Sequence, residues 1–161
     1  MKQKILLIGG ISLISIAIDQ WTKFLATQHL MGAPEISWWN DFFVFTYAIN
    51  HGAFLGLGSN LPEHIRNFIF SGLVSLFLIG FTIYAVRDKT MNTLQNLACG
   101  LVLSGGFSNL YDRATNNGGV VDFMNMGIGG LRTGIFNVAD MAIMAGVFLL
   151  IFYSYKTDVK K

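Results

Sequence analysis

The sequence predicts a membrane all-α protein with four transmembrane helices and a small extracytoplasmic β element between the first two. Two observations lead to this fold class. Apolar residues make up 53% of the 161-residue chain and charged residues only 12%, about half the charged share of a typical soluble domain. Four stretches are also long and apolar enough to cross a bilayer core at ~1.5 Å of rise per residue.

The predicted spans cover residues of about 5–26, 68–86, 93–111 and 135–155. The first span opens like a cleavable signal peptide, but Asp-Gln-Trp-Thr-Lys near its end offers no small-residue cleavage site, so we expect it to be retained. The second span is uncharged, whereas the third and fourth carry polar residues. No Pro-rich or Ser-rich linker divides the chain, so we expect a single domain over residues 1–161.

Basic residues set the expected orientation. Those on the side of the termini are Lys2, Lys4, Arg87, Lys89, Lys156, Lys160 and Lys161, against Arg66, Arg113 and Arg132 on the other side. Cytoplasmic loops are richer in Lys and Arg, so both termini should face the cytoplasm. The two longer connections then lie outside, and any chemistry should occur at the outer leaflet.

The first outer segment contains more than plain loop. Residues 36–50 are dense in aromatic and β-branched residues and lack a helical charge pattern, which predicts a few short strands. Trp38 and Trp39 suit the headgroup region, so we interpret them as interfacial anchors in preference to substrate contacts.

Small residues recur at every fourth position of the last two spans. They are Gly100, Ser104 and Ser108 in the third span and Ala142 and Gly146 in the fourth. Such ridges let helices approach closely, so we expect these residues to serve packing.

Ionisable side chains at membrane depth are costly and are usually kept for a partner or a function. Asp19 and Lys23 are four residues apart on the first span, which favours a mutual ion pair over contacts with a substrate's backbone or headgroup. Asp112 directly precedes Arg113. We expect this guanidinium to hold the Asp112 carboxylate ionised.

Asp122 and Asp140 are the remaining candidates, because each lies among apolar neighbours with no cation nearby in sequence. The loop after the third span and the start of the fourth meet at the same outer surface, where the two carboxylates can converge. Mutual repulsion at low dielectric would then leave one shared proton near neutral pH. Such a pair can hydrolyse an amide without a metal, a cofactor or a covalent nucleophile.

Other chemistries find less support in the sequence. His29, His51 and His64 lack the spacings of a zinc site. Ser104 and Ser108 lack both a Gly-x-Ser-x-Gly frame and a nearby base. The net charge of +2, from scattered basic residues, does not form the basic stripe of a nucleic-acid binder.

Two further function classes stay open. Buried Asp and Asn residues could relay ions in a small transporter, which would spread carboxylates through the bilayer depth. A non-catalytic membrane scaffold for lipid-anchored partners could use the aromatic strands and Arg113, and it would tolerate replacement of either Asp122 or Asp140 by Asn.

Five motifs, in order, resemble the lipoprotein signal peptidase (signal peptidase II) family of bacteria. They are Asp19-Gln-Trp-Thr-Lys23, Asn50-His-Gly-Ala-Phe54, Asn109-Leu-Tyr-Asp-Arg113, Gly119-Val-Val-Asp-Phe123 and Phe136-Asn-Val-Ala-Asp140. The resemblance implies an aspartyl endopeptidase, surrounded by lipid in the bacterial inner membrane. It would remove the signal peptide from diacylglyceryl-modified prolipoproteins by cutting just before the lipidated cysteine at the outer face. No oligomer is implied.

The same resemblance implies roles for individual residues. Asp122 and Asp140 would be the catalytic pair. The residues that would position substrate or brace the pair are Asn50, Gly52, Asn109, Arg113 and Asn137, with Asp19, Lys23 and Asp112 as supporting polar residues. Ser108 stands where the family usually has Gly, and Phe54 follows Ala53 where the family often has a second Ala. These departures affect local packing.

Overall fold

The computed structural model describes residues 1–52, 57–58 and 60–158. Its helices are α1 (Lys2–Leu30), α2 (Glu63–Asn67), α3 (Val74–Arg87), α4 (Thr93–Thr115) and α5 (Val138–Asp158), and its strands are β1 (Ile36–Trp38), β2 (Phe43–Asn50), β3 (Val120–Ile128) and β4 (Leu131–Arg132). A π-helical stretch, Phe68–Leu73, joins α2 to α3.

Within the described residues, three helices are long and apolar enough to cross a membrane. They are α1, the joined helix Glu63–Arg87, and residues Val138–Tyr155 of α5. They match the first, second and fourth predicted spans, although α1 is longer at both ends and α5 begins three residues later. Large apolar side chains such as Leu6, Leu76 and Phe148 are exposed, as expected where the solvent is lipid.

Helix α4 corresponds to the third predicted span but differs from the other long helices, because five of the twelve residues that it buries are polar. Asn96, Ser104, Ser108, Asn109 and Asp112 are all buried. The helix packs against α1, α3 and α5. Its polar groups therefore face protein neighbours, and the four-span topology stays a prediction.

The β element is larger than predicted and draws on two segments of the chain. Among the described residues, four antiparallel strands form it in the order β1-β2-β3-β4. The first two confirm the strands predicted within residues 36–50. The other two lie within residues 112–134, which we interpreted as loop, so placing the element only between the first two spans was incomplete. Residues 120–124 are buried on both faces of β3, and such a strand lacks the alternation that identifies half-exposed strands.

The sheet is attached to the end of α1 by a hydrophobic cluster. Ala26 and Leu30 of α1 are buried against Phe123 and Met124 of β3, and aromatic side chains of β2 pack around them. This contact fixes the start of β3, which carries Asp122, relative to the helices.

Close contact between α4 and α5 depends on glycine, which confirms the packing role expected of Gly146. A Cβ on Gly105 would overlap the carbonyl oxygen of Ala139, and one on Gly146 would lie 2.6 Å from the carbonyl oxygen of Ala98. Since Ala139 directly precedes Asp140, the Gly105 contact also sets the depth of that carboxylate.

Replacing Gly105 by Ala should lower the thermal unfolding temperature in detergent, because the added methyl forces α4 away from the backbone of α5. Gly80→Ala is the matched control. Nothing lies within 4 Å of a Cβ at Gly80, so this change should be neutral or stabilising by up to ~1 kcal/mol. Equal effects of the two substitutions would contradict the packing described here.

Candidate active site

Asp122 and Asp140 line the same cavity, although they come from different elements. Asp122 lies in β3, paired with Ala48 of β2, and Asp140 lies in the first turn of α5. Their exposed fractions are 1% and 8%. The cavity has a volume of about 580 Å³, so both carboxylates border a space that can admit part of a ligand.

Asn137 connects the two carboxylates directly. Its side-chain Nδ2 donates to Asp122 Oδ1 at 2.6 Å, and its backbone N–H donates to Asp140 Oδ2 at 3.2 Å. The Asp140 N–H in turn donates to Asn137 Oδ1 at 2.9 Å. This reciprocal pattern is a capping box at the start of α5, so the local rule that begins the helix also holds Asp140 beside Asn137.

Two further amides complete the frame around the carboxylates. Asn50 Nδ2 donates to Asp122 Oδ2 at 2.9 Å, and Asn109 Nδ2 donates to Asp140 Oδ1 at 3.0 Å. Each of the four carboxylate oxygens therefore accepts a hydrogen bond from a neutral N–H donor. The amides orient the pair without adding a charge to it.

Burial and, to a smaller extent, the nearby Asp140 charge raise the pKa of Asp122 to about 7. The hydrogen bonds from Asn50 and Asn137, together with the positive charge of Lys23, oppose this rise. Desolvation and a like charge outweigh the donors. The carboxyl of Asp122 is thus poised to hold or release a proton near neutral pH.

Behind the pair, Lys23 lies buried between two other carboxylates. Its Nζ is 2.7 Å from Asp19 Oδ2 and 3.0 Å from Asp112 Oδ2, and it donates to Asn109 Oδ1 at 2.9 Å. The first distance confirms the ion pair predicted within α1. The other contacts tie α1 to α4 and fix the amide that binds Asp140.

The same two carboxylates also bind the backbone next to the cavity aspartates. Asp19 Oδ1 accepts the N–H of Ala139 at 2.7 Å, and Asp112 Oδ2 accepts the N–H of Val121 at 3.1 Å. Ala139 and Val121 each directly precede one of the cavity aspartates. The Lys23 cluster therefore positions both of them through their backbone.

The expected pairing of Asp112 with its neighbour Arg113 was wrong. Successive residues on a helix point in different directions, and Asp112 faces Lys23. Arg113 lines the cavity and donates to the carbonyl oxygens of Gly52 at 2.9 Å and Asn109 at 3.4 Å. Gly52 N–H donates to Asn50 Oδ1 at 2.8 Å, so the guanidinium also braces the segment that holds Asn50.

Sequence reasoning missed Gln20 and undervalued Ser108. Gln20 Nε2 donates to Asp112 Oδ1 at 2.7 Å and to Ser108 Oγ at 3.0 Å. The Ser108 hydroxyl donates to Asp19 Oδ2 at 2.7 Å. The signal for Gln20 was its place three residues before Lys23, on the same helix face. The Ser108 hydroxyl supplies a hydrogen bond that glycine cannot.

The rest of the cavity wall is mainly apolar and was not predicted. Its apolar side chains come from the π-helical stretch, α3, β3 and α5: Phe70, Val74, Val120, Ile143, Met144, Val147, Phe148 and Ile151. The polar aspartates thus lie at one end of an apolar groove. Residues 53 and 54 of the second motif lie outside the described residues.

Comparison with known proteins finds close similarity along nearly the whole chain. A family model described as signal peptidase (SPase) II matches residues 11–156. The chain is 34% identical to a lipoprotein signal peptidase of Borrelia turicatae (strain 91E135), over 91% of this chain and 89% of the relative. It is 36% identical to one of Francisella tularensis subsp. novicida (strain U112), over 93% and 92%.

The fold also matches solved structures. One is described as a bacterial membrane enzyme determined by the in meso method at 2.3 Å resolution, with a TM-score of 0.81 and 26% identity over 100% of this chain and 92% of that chain. A second, at 1.9 Å, gives a TM-score of 0.76 at 26% identity over 95% and 92%.

Replacing Lys23 by Met should destabilise the protein by about 3–5 kcal/mol, because it leaves two buried carboxylates without their cation. Lys2→Met, at an exposed position of the same helix, is the control and should change little. The free energy of unfolding of both variants is measured in mixed detergent micelles and compared. A Lys23→Met protein as stable as the control would show that the cluster does not hold the fold together.

The raised pKa of Asp122 predicts a pH-dependent stability. The folded-state pKa of about 7 exceeds the ordinary value of 3.8, so the folded protein binds this proton more tightly than the unfolded chain does. The resulting stability is present at low pH and is lost as pH rises through about 7. Between about pH 5 and about pH 8, the unfolding temperature of Asp122→Asn should therefore fall less than that of the wild type.

The control for this pH series is Asp41→Asn, at an exposed turn position. Its unfolding temperature should follow that of the wild type across the same range. Parallel curves for Asp122→Asn and the wild type would mean that Asp122 does not titrate in this window.

Proposed function

This chain belongs to the signal peptidase II family, and we propose that Asp122 and Asp140 form the catalytic pair of an aspartic endopeptidase. Family membership identifies a membrane protease that removes signal peptides from prolipoproteins. The observation that carries the proposal is the amide frame: two buried carboxylates border one cavity and are joined through Asn137.

In the proposed mechanism the pair holds one proton. The ionised carboxylate takes a proton from a water molecule as this water attacks the scissile carbonyl carbon, and the protonated carboxyl donates to the carbonyl oxygen. A proton then passes to the leaving amine. A pKa of about 7 for Asp122 supports this scheme, because an acid with that pKa is partly protonated at neutral pH. Both side chains can then act as acid and as base.

The substrate would lie along the groove that runs from the pair to the apolar wall. We propose that the bond cut is the one just before the diacylglyceryl-modified cysteine. The lipid's acyl chains and the apolar part of the signal peptide would then contact side chains such as Met144 and Phe148, which are exposed on α5. Arg113 and Asn50 would contact the substrate backbone or the ester groups, since they offer donors at the cavity edge.

The proposed topology puts this site at the outer face of the bacterial inner membrane. Helix α4 would be the third of four spans, with both termini in the cytoplasm, and residues 1–161 would form one domain. The sheet packs against the end of α1. Its strand β3 contributes Asp122 to the site, and the start of α5 contributes Asp140. Polar ends of the spans would therefore meet the sheet at the outer leaflet, where lipid-modified substrates are anchored.

The rival functions fit the geometry less well. A transporter needs polar groups along a path through the bilayer, whereas Asp122 and Asp140 share one cavity and the buried Asp19 and Asp112 are both ion-paired with Lys23. A non-catalytic scaffold needs no carboxylate pair. Replacing Asp122 or Asp140 by Asn therefore distinguishes a scaffold from an enzyme.

Asp122→Asn and Asp140→Asn should each lower cleavage of a diacylglyceryl-modified prolipoprotein peptide by roughly 10³-fold or more, because each removes one partner of acid–base catalysis. The purified variants are compared in detergent, after circular dichroism has shown that they are folded. Asp41→Asn is the matched control, and its activity should equal that of the wild type.

Undiminished cleavage by either variant would remove that aspartate from the mechanism. Binding of the substrate peptide without cleavage by the wild type, under conditions in which a relative is active, would support the scaffold instead.

A further inference from the structure

Gln20 and Ser108 form a hydrogen-bonded bridge behind the candidate active site, between two carboxylates of the Lys23 cluster. Gln20 Nε2 donates to Asp112 Oδ1 at 2.7 Å and to Ser108 Oγ at 3.0 Å, and it lies 3.5 Å from the Ser108 carbonyl oxygen. The Ser108 hydroxyl donates to Asp19 Oδ2 at 2.7 Å. The Gln20–Ser108 bridge therefore links Asp112 to Asp19 by a route that does not pass through the ammonium group of Lys23.

The direction of each hydrogen bond in the bridge is determined by the carboxylates at its ends. Asp19 and Asp112 are ion-paired with Lys23, so both act as acceptors only. Gln20 must then present its NH₂ group to Asp112, because the reversed amide would place its oxygen against a carboxylate oxygen. The same NH₂ group donates to Ser108, which leaves the one hydroxyl proton of Ser108 for Asp19.

At one end of the bridge, Asp19 is held by both of its carboxylate oxygens. Oδ2 accepts the Ser108 hydroxyl, and Oδ1 accepts the N–H of Ala139 at 2.7 Å. Lys23 also binds Oδ2, but an ammonium group is a compact charge on a flexible stem and gives little control over the rotation of a carboxylate. The hydroxyl restrains that rotation, and with it the bond to the residue that directly precedes Asp140.

At the other end of the bridge, Asp112 is held in the same way. Oδ1 accepts Gln20 Nε2, and Oδ2 accepts the N–H of Val121 at 3.1 Å. Val121 directly precedes Asp122 in β3. One side chain of α1 thus restrains this carboxylate directly, and through Ser108 it also restrains the carboxylate at the first end.

The acceptors of the bridge are all buried. The exposed fractions of Ser108, Asp19 and Asp112 are 0%, 1% and 2%. Hydrogen bonds to ionised groups are stronger than those between neutral groups, and they gain further strength where the local dielectric is low. Bulk water does not reach these side chains, so removal of the Ser108 hydroxyl should leave Asp19 less firmly oriented.

We propose that Gln20 and Ser108 are positioning residues that set the placement of the two cavity aspartates relative to each other. Neither side chain lines the cavity, so the bridge acts through the backbone N–H groups of Val121 and Ala139. The effect on cleavage rests on the proposed peptidase function, whereas the effect on the two N–H groups does not. Measuring both effects therefore separates a failure of this proposal from a failure of the proposed function.

Amide hydrogen exchange tests the link between the bridge and the backbone. In Ser108→Ala, the Ala139 amide of the folded protein should exchange about tenfold faster than in the wild type, the usual effect of one lost hydrogen bond at a buried charged group. Exchange is followed by nuclear magnetic resonance of the isotope-labelled full chain in detergent micelles.

Ser104→Ala is the matched control. Ser104 lies one turn earlier on α4, is 1% exposed and donates its hydroxyl to the Leu101 carbonyl oxygen at 2.7 Å. The control therefore removes the same buried group from the same helix without touching the bridge. It should leave the exchange of the Ala139 amide unchanged.

Cleavage kinetics test the consequence for the reaction. Ser108→Ala should lower kcat for the prolipoprotein peptide about tenfold while KM stays unchanged, because the change misplaces the reacting groups and leaves the groove wall intact. Gln20→Met should have a similar effect, and the double variant should be no slower than the slower single variant, since both changes break one bridge. Ser104→Ala should keep both constants.

Unchanged exchange of the Ala139 amide in Ser108→Ala would overturn the proposal, because the bridge would then not hold the backbone. Faster exchange with an unchanged kcat would also overturn it, since the bridge would be purely structural. Equal losses of kcat in Ser108→Ala and Ser104→Ala would attribute the effect to general packing and contradict a role of the bridge. A wild type without peptidase activity would contradict the proposed function, and hydrogen exchange would still decide whether the bridge positions the backbone.

Discussion

The arrangement of the site depends on the ion pairs that the buried ammonium group of Lys23 forms. This group forms ion pairs with Asp19 and Asp112, and Asp19 Oδ1 and Asp112 Oδ2 accept the N–H groups of Ala139 and Val121. One cation on α1 thereby fixes α4, the start of α5 and the start of β3 in a single network. Without that cation, two carboxylates would lie uncompensated in a low-dielectric interior.

This network explains why four carboxylates within one region can have different roles. Asp19 and Asp112 contact a cation directly and serve as structural anchors. Asp122 and Asp140 contact neutral amides of Asn50, Asn109 and Asn137, which orient the carboxylates but neutralise no charge. In the proposed mechanism the pair keeps a proton because, within the described part of the chain, its carboxylates accept hydrogen bonds from neutral amides and from no cation.

Much of the fold and most of the site residues could be predicted from the sequence. The apolar composition and the length of the apolar stretches identified the long helices. The spacing of Asp19 and Lys23 identified their ion pair. Strand β3 was missed because a fully buried strand has no alternating pattern. The partner of Asp112 was also misassigned, since adjacency in sequence says little about direction on a helix.

Other features depend on tertiary contacts that no local pattern encodes. The groove wall on α5 has the composition of any lipid-facing helix, so its contribution to the cavity emerges only once α3 and α5 are placed together. The capping box of Asn137 and Asp140 is a local signal that was available, yet its second consequence, a hydrogen bond from Asn137 to Asp122, requires the sheet to be in place.

Infrared spectroscopy of the protein with isotope-labelled aspartate tests the shared proton most directly. The account predicts a protonated carboxyl band slightly below neutral pH that disappears as pH rises above about 7 and is absent or shifted in both Asp122→Asn and Asp140→Asn. A spectrum with no protonated aspartate in this range, or a band that persists unchanged in both variants, would contradict an aspartic dyad at this site.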